Sequence, residues 1–481
     1  MSRTKLKNEL ITVTIESYVF EGKGLARHRN ITVEGEEKDL VIFVDHACPG
    51  DTAVVEIRKK KKNYYEAVIR ELITPSPFRQ TARCSYFGVC GGCRQQDMIY
   101  SQQVKFKHEQ VVNLFERLGG FSGFEILDIV AAPSEFFYRN KMEFTFARKR
   151  WLTRDEIQGD AQFDEALFAG LHVPGVYDKV IDINECFLQS PESNAILNYS
   201  RDFFLKKGIP AYTTSDHTGF LRNLVIRQTG NTDQLMVNLV TAGENPELMQ
   251  EYSVYIRELV PGITTIVNNI NRGKATVATG EYEIVIYGPG YIEDEIGHCR
   301  FRISSNSFFQ TNTKQAERLY AIAREFAGIK KSDVVYDLYC GAGTITLYVA
   351  GDAKEVYGFE ASSSAIKDAA VNQQINRNSN TRFFESNLYK SFLPEVEGNN
   401  LPKPDILITD PPRNGMHTTT VEDILKLKPG KIVYISCNPA TQVRDIKLLA
   451  EGGYKLEKIQ PVDMFPHTYH IENVALLKYE L

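Results

Sequence analysis

From about Ser307 onward, short β-branched runs alternate with stretches of helical spacing, and this alternation constrains the fold more than any other feature of the chain. The β-like runs are Asp333 to Tyr339, Glu355 to Glu360, Asp405 to Thr409 and Lys431 to Ser436. Between them lie the helical stretches Thr344 to Ala350, Ser363 to Asn376, Thr419 to Leu427 and Ala440 to Glu451. Parallel strands joined by helices build a doubly wound α/β sheet covered on both faces. Tyr454 to Glu480 reads as two more strands, a hairpin at the sheet's edge.

Doubly wound sheets bind ligands beyond the carboxyl ends of their strands. Asp337-Leu338-Tyr339-Cys340-Gly341-Ala342-Gly343-Thr344 falls where the first strand meets its helix. Glycines there let the backbone approach a ligand. The loop is not a full G-x-G-x-x-G, so a nucleoside cofactor is favoured over a dinucleotide. Glu360 ends the next strand, where an acid can accept from both ribose hydroxyls. Asp410-Pro411-Pro412-Arg413 and Ser436-Cys437-Asn438-Pro439 end two further strands. Prolines stop the strand and leave the Asp410 carboxylate at the ligand edge. Cys437 reads either as buried filler, the usual fate of cysteine, or as a nucleophile. His467-Thr468-Tyr469-His470-Ile471-Glu472 supplies candidate bases, with packing roles for His467 and His470 as the bland alternative.

The remainder divides into 1–76 and 77–305, with 306–481 as the α/β unit. Residues 1–76 read as five short strands in a small closed barrel, Ile31-Thr32-Val33 among them, with turns such as Glu34-Gly35-Glu36 between. Arg58-Lys59-Lys60-Lys61-Lys62 runs into Tyr64-Tyr65. Adjacent cations beside aromatics suit an anionic, base-stacking partner, or form a solvated hairpin tip. Residues 77–305 mix elements. Val104, His108, Val111, Val112, Phe115 and Leu118 mark an amphipathic helix over Tyr100 to Leu118, and the wider segment 97–121 is expected to pack on the α/β unit. Tyr138 to Phe146 and Leu224 to Arg227 read as strands, and Arg148 to Gly170 as a polar exposed insertion.

Composition sets the outer limits. Of 481 residues 43% are apolar, enough for sizeable cores, and the net charge of −5 excludes a uniformly basic nucleic-acid binder. No apolar run approaches the roughly 18 residues of a membrane span, and Met1 to Lys7 carries no secretion signal, so a cytoplasmic protein without a membrane partner is expected. Eight cysteines are too few for a disulfide scaffold. Cys84, Cys90 and Cys93 nevertheless crowd into C-x5-C-x2-C around Gly91-Gly92, with Cys186 the candidate fourth ligand of a soft metal centre. Spacing alone does not separate zinc from an iron–sulfur cluster.

Phe308-Phe309-Gln310-Thr311-Asn312, Asp337-Leu338-Tyr339-Cys340-Gly341, Asp410-Pro411-Pro412-Arg413, Ser436-Cys437-Asn438-Pro439 and His470-Ile471-Glu472 occur in that order. Together they resemble the S-adenosylmethionine-dependent RNA 5-methyluridine methyltransferases. Tyr138 to Phe146 and Leu221 to Arg227 resemble that family's central region, and 1–76 resembles its RNA-binding TRAM barrel, so nearly the whole chain is covered. The resemblance implies a Rossmann-like class I domain preceded by the barrel and an α+β iron–sulfur domain. It implies S-adenosylmethionine held at Gln310, Tyr339, Glu360 and Asp410, and a [4Fe–4S] cluster on Cys84, Cys90, Cys93 and Cys186. It also implies that Cys437 attacks uracil C6 and Glu472 removes the C5 proton. Asn387 stands where many relatives carry Asp near the adenine.

A stacked uracil must be flipped to reach such a pocket, and Arg139, Lys141, Arg148, Lys149 and Arg150 are candidate phosphate contacts. Barrel and cysteine cluster together resemble the 23S ribosomal RNA branch rather than the transfer RNA branch, and no DNA partner is expected. Two rivals stand beside this reading. A methyltransferase acting on an exocyclic base nitrogen would use Asp-Pro-Pro but wants an aromatic where Arg413 stands, and has no use for Cys437. A non-catalytic RNA-binding assembly factor would use the barrel and cluster alone.

Overall fold

A computed structural model describes residues 8–19, 21–31, 37–152, 156–157, 166–176, 179–275 and 277–480. The expected turn at 34–36, Thr32 and Val33 of the third expected strand, and most of the middle of the polar insertion lie outside the described residues.

Six strands, not five, form the first sheet: β1 (Leu10–Thr14), β2 (Ser17–Val19), β3 (Lys23–Ile31), β4 (Glu37–Asp45), β5 (Thr52–Lys60) and β6 (Tyr65–Thr74), in the order β1-β5-β6-β4-β3-β2. The N-terminal stretch Leu10–Val19 forms two strands because its halves have different partners. β1 pairs with β5, whereas β2 pairs with β3. Inward residues at period two, among them Val13, Ile42, Val44, Val55 and Ile57, fill the interior. The basic run ends β5 and turns into β6 with its side chains exposed, and Lys60 Nζ lies 5.5 Å from the Tyr65 ring centre.

A long helix follows, α1 (Tyr100–Asn113), which continues as a π-helical turn over Leu114–Leu118. Its buried face keeps only part of the apolar stripe read from the sequence: Val111 and Phe115 are buried and Val104, His108 and Val112 half-buried. Gln103, Phe106, Lys107, Gln110 and Val111 face inward, while Leu118 is exposed. The polar ones are inside because each finds a partner there. Lys107 Nζ donates to Asp463 Oδ1 at 2.7 Å, and Gln103 Nε2 donates to two backbone carbonyls and to His467 Nδ1.

The central elements are β7 (Glu125–Ile126), β8 (Lys141–Ala147), β9 (Phe168–His172), β10 (Val180–Asp182), α2 (Pro191–Lys206), β11 (Leu221–Gln228), β12 (Leu235–Thr241), α3 (Pro246–Leu259), β13 (Thr265–Ile270) and β14 (Tyr282–Tyr287). They build a seven-stranded sheet ordered β10-β9-β8-β11-β12-β13-β14, and Ile196, Phe204, Tyr252 and Ile256 of α2 and α3 pack onto it. The strand expected from Tyr138 begins only at Lys141. Tyr138 and Asn140 are drawn away by bonds to the carbonyls of Pro466 and Gln310, at 3.0 and 2.8 Å.

The α/β unit carries β15 (Tyr291–Ile296), β16 (Cys299–Ser304), α4 (Thr313–Ala327), β17 (Val334–Leu338), α5 (Thr344–Ala350), β18 (Glu355–Glu360), α6 (Ser363–Ile375), β19 (Thr381–Glu385), α7 (Leu393–Gly398), β20 (Ile406–Thr409), α8 (Thr418–Leu427), β21 (Lys431–Ser436), α9 (Pro439–Glu451), β22 (Tyr454–Val462) and β23 (Glu472–Tyr479). Its sheet runs β19-β18-β17-β20-β21-β23-β22-β7, parallel from β19 to β21 and antiparallel at β23. Side chains alternate between two cores. Val335, Ile406, Ile408 and Val433 meet α4, α5 and the β15–β16 hairpin on one face. Val334, Tyr336, Leu407 and Ile432 meet α8, α9, Val111 and Phe115 on the other. Segment 97–121 thus packs on this layer, and β7 covers the edge that the terminal hairpin was expected to leave open. Among the described residues no helix is long and apolar enough to cross a membrane.

Candidate active site

The loop after β17 turns through left-handed geometry at Tyr339, Gly341 and Gly343, with φ of 64°, 55° and 80°. A Cβ on Gly343 would meet Phe383 Cζ at 2.8 Å, so only glycine fits there. Glu360 steadies this loop: its Oε2 accepts from Gly341 N–H at 3.1 Å and its Oε1 from Ser362 N–H at 2.9 Å. Behind it the fully buried Asp337 accepts from Thr346 Oγ1 at 2.6 Å, and burial pushes its carboxyl up to about 7.

Three neighbouring strand ends deliver the reactive groups. Asp410 follows β20, Cys437 follows β21 and Glu472 opens β23. Ser436 is the ladder partner of Asn473 across the antiparallel β21–β23 pair. The next residue on each strand, Cys437 and Glu472, therefore leaves the sheet on the same rung. Gln310, Tyr339, Glu360, Asp410, Cys437 and Glu472 all line one cavity of about 1170 Å³.

The electrostatics of the cavity are set by burial. Glu472 is raised well above the usual carboxylate range by burial and then by Asp410, with Arg413 opposing, and burial likewise raises Asp410. The Cys437 thiol is pushed up to about 12 by burial, then Glu472 and Asp410, again with Arg413 opposing. Arg413 itself contacts His470 Nδ1 at 2.8 Å. Burial and that guanidinium hold His470 down to about 4, so the imidazole is neutral. His467 is wholly buried, lowered to about 4 first by burial, and takes its bond from Gln103. It is not among the residues lining the cavity.

Sequence reasoning missed several members of this site. Arg413, Thr468 and Phe465 line the cavity, and Asn438 both caps α9 and donates to the Arg413 carbonyl at 3.0 Å. The Asn-Pro pair that opens α9 was the available signal for that cap. Asn387 turns its Oδ1 to Tyr389 N–H, and its neighbours Leu388 and Tyr389 line the cavity instead.

The four sequence-predicted cysteines do come together. Cys84, Cys90, Cys93 and Cys186 line a second cavity of about 400 Å³. Gly92 N–H donates to Cys90 Sγ at 3.4 Å and Gln96 Nε2 to Cys93 Sγ at 3.3 Å. All four thiols are raised, first by burial. Among the described residues no three His, Cys, Asp or Glu side chains converge as ligands of a single ion.

Residues 291–480 match the family model described as tRNA (Uracil-5-)-methyltransferase, and residues 5–69 match the TRAM domain. An RNA methyltransferase of Chlorobaculum tepidum is 42% identical over 98% of this chain and 96% of its own length. Another, of Bacteroides thetaiotaomicron, is 42% identical over 95% and 99%. This chain belongs to the RNA uracil-5 methyltransferase family. The fold agrees throughout: the Pyrococcus abyssi tRNA (uracil-54, C5)-methyltransferase in complex with S-adenosyl-L-homocysteine superposes with a TM-score of 0.73, at 28% identity, over 97% of this chain and 100% of that one. As an RNA uracil-5 methyltransferase the protein uses S-adenosylmethionine and an RNA substrate, and its N-terminal sheet is a TRAM domain.

Proposed function

We propose that this RNA methyltransferase methylates C5 of a uridine in 23S ribosomal RNA through a covalent Cys437–C6 adduct, with Glu472 as base. The observation that carries the reading is the shared rung of Cys437 and Glu472 at one cavity with Asp410. Bound S-adenosylmethionine supplies an electrophilic methyl group from its sulfonium. Gln310, Tyr339, Glu360 and Asp410 are the residues that hold it, Glu360 at the ribose, on the glycine-loop side of the cavity.

Uracil C5 is a weak nucleophile until sulfur adds at C6 and makes C5 enolate-like. Cys437 forms the S–C6 bond as its thiol proton passes to solvent, and the negative charge moves onto the ring. C5 takes the methyl group, and Glu472 removes the C5 hydrogen as a proton. The C5=C6 bond re-forms as the S–C6 bond breaks, and Glu472 can return its proton to the sulfur. A free Cys437 thiolate is disfavoured beside two carboxylates, whereas a ring-bound sulfur is neutral. Arg413 at the Asp-Pro-Pro motif and a cysteine on the cavity wall weigh against exocyclic nitrogen as the target.

The four-cysteine cavity fits a [4Fe–4S] cluster on Cys84, Cys90, Cys93 and Cys186. Its support is that the four cysteines line one cavity and that two N–H···S bonds reach them. Such a cluster would cross-link the 84–93 hook to the segment before α2, and no catalytic step is assigned to it. The barrel combined with this hook supports 23S rRNA. Transfer RNA is the second reading, favoured by the substrate named for the Pyrococcus enzyme.

Both readings are tested with 23S and transfer RNA transcripts containing 5-fluorouridine. With no removable C5 proton, the expected product is a stable protein–RNA link through Cys437 on one of the two. No link on either RNA, with uridine transcripts of the same sequence methylated, would refute the covalent route.

A further inference from the structure

Five cations were candidates for RNA phosphate contacts, and the structure separates them. Lys141 lies 3.7 Å from Glu143, Arg150 2.7 Å from Glu156, and Arg148 3.5 Å from Asp216 with further bonds to Thr218. Lys149 is not free either. Arg139 differs: among the described residues its guanidinium pairs with no carboxylate, and its Nε is buried without a hydrogen-bond partner.

Its backbone is nonetheless tightly fixed. Arg139 N–H donates to the Leu188 carbonyl at 2.8 Å. On either side Tyr138 is bonded to Pro466 and Asn140 to Gln310 and Thr313. The side chain so placed lines both the catalytic cavity and the cysteine cavity. The Nη groups of Arg139 are not among the buried atoms and pair with no carboxylate among the described residues, so an anion arriving in the cavity gains a charge-assisted hydrogen bond from them.

We infer that Arg139 is the cavity's anchor for an RNA phosphodiester beside the flipped uridine. This rests on the methyltransferase reading above. Two anions enter the cavity, the RNA backbone and the cofactor's carboxylate. Arg139 lines the cavity with Gly91 and Gly92 and lies near enough to His470 to act on its imidazole, whereas Glu360 is engaged with the glycine loop through Gly341 N–H. The backbone is therefore the anion assigned to it.

The test is equilibrium binding of a 23S rRNA transcript to the full protein across a salt series, for wild type, Arg139→Ala and Arg139→Lys. Loss of one phosphate contact is expected to flatten the slope of log affinity against log salt by about 0.7–1 in Arg139→Ala, and Arg139→Lys should keep most of the slope. Affinity at moderate salt should fall about tenfold in Arg139→Ala, the scale of one charge-assisted bond. S-adenosylhomocysteine affinity and the visible spectrum should stay unchanged. An unaltered slope would overturn the inference, as would a loss confined to S-adenosylhomocysteine binding or to the spectrum. Binding needs no turnover, so failure here is distinct from failure of the methylation reading, which the wild-type fluorouridine link reports.

Discussion

Lys107 and Asp463, distant in sequence, meet at 2.7 Å with neither side chain exposed to solvent. Asp463 also accepts from Tyr100 at 2.9 Å, and Lys107 reaches the Phe465 carbonyl at 3.2 Å. The pair thus ties α1 to the loop that leads into Glu472. Lys107→Met leaves a buried carboxylate uncompensated and should cost about 3–5 kcal/mol of folding stability. Chemical denaturation measures this, and a loss below ~1 kcal/mol would show that the pair matters little.

Cys437 and Glu472 should fail at different points. Cys437→Ala is expected to abolish both product and fluorouridine link. Glu472→Gln should still form the bond to C6 and take the methyl group, then stall. Protein–RNA adducts would accumulate on ordinary uridine, with turnover down about 10²–10⁴-fold. Denaturing gels and intact mass read both outcomes, and a Glu472→Gln enzyme that turns over normally would remove Glu472 from the base role.

The pH dependence has a defined sign. As the proposed base Glu472 would work deprotonated, and burial with Asp410 raises it above the ordinary value of about 4.3. Activity should therefore climb with pH along an acid limb centred above that value. Arg413 favours the ionised form of Glu472, so Arg413→Gln should move the limb to higher pH. Stability runs the other way. A folded-state value above the unfolded one gives a contribution present below the unfolded value and lost as pH rises through the folded one. Glu472→Gln should flatten that decline in a melting series.

The cysteine cavity makes an optical prediction. Protein purified without oxygen should be brown, and Cys186→Ser should bleach it as fully as Cys93→Ser. A colourless protein that releases zinc would refute the iron–sulfur assignment.

Gly343→Ala should disable the cofactor loop. The residue sits at φ 80°, and a methyl group there would collide with Phe383. The strain is worth about 1–3 kcal/mol and should appear as weakened S-adenosylhomocysteine binding by calorimetry.

Much of the α/β unit was legible because its signals are local. Each strand-end motif is a few residues long, and a Gly or Pro in it has one conformational meaning, as at Gly343 and Pro411. What stayed hidden depends on distant partners. Lys107 and Gln103 looked like an outer face because their acceptors come from the 463–467 loop. The two-residue β7 carries too little periodicity to be seen, and the alternation of the β15–β16 hairpin marks a strand pair without saying that it packs on the α/β layer. Five cations looked alike as letters, and only their carboxylate neighbours set Arg139 apart. The meeting of Cys437 with Glu472 needed the β21–β23 register, which no stretch of sequence encodes by itself.

That register has a consequence for how such chains can vary. The proposed nucleophile and base stand beside the Ser436–Asn473 rung of the sheet, so the length of chain joining them is free to change. Residues added at the exposed end of α9, beside Gly452, should leave chemistry intact. Removing a single residue inside β23 would turn Glu472 to the far side of the sheet, where no uridine can meet it.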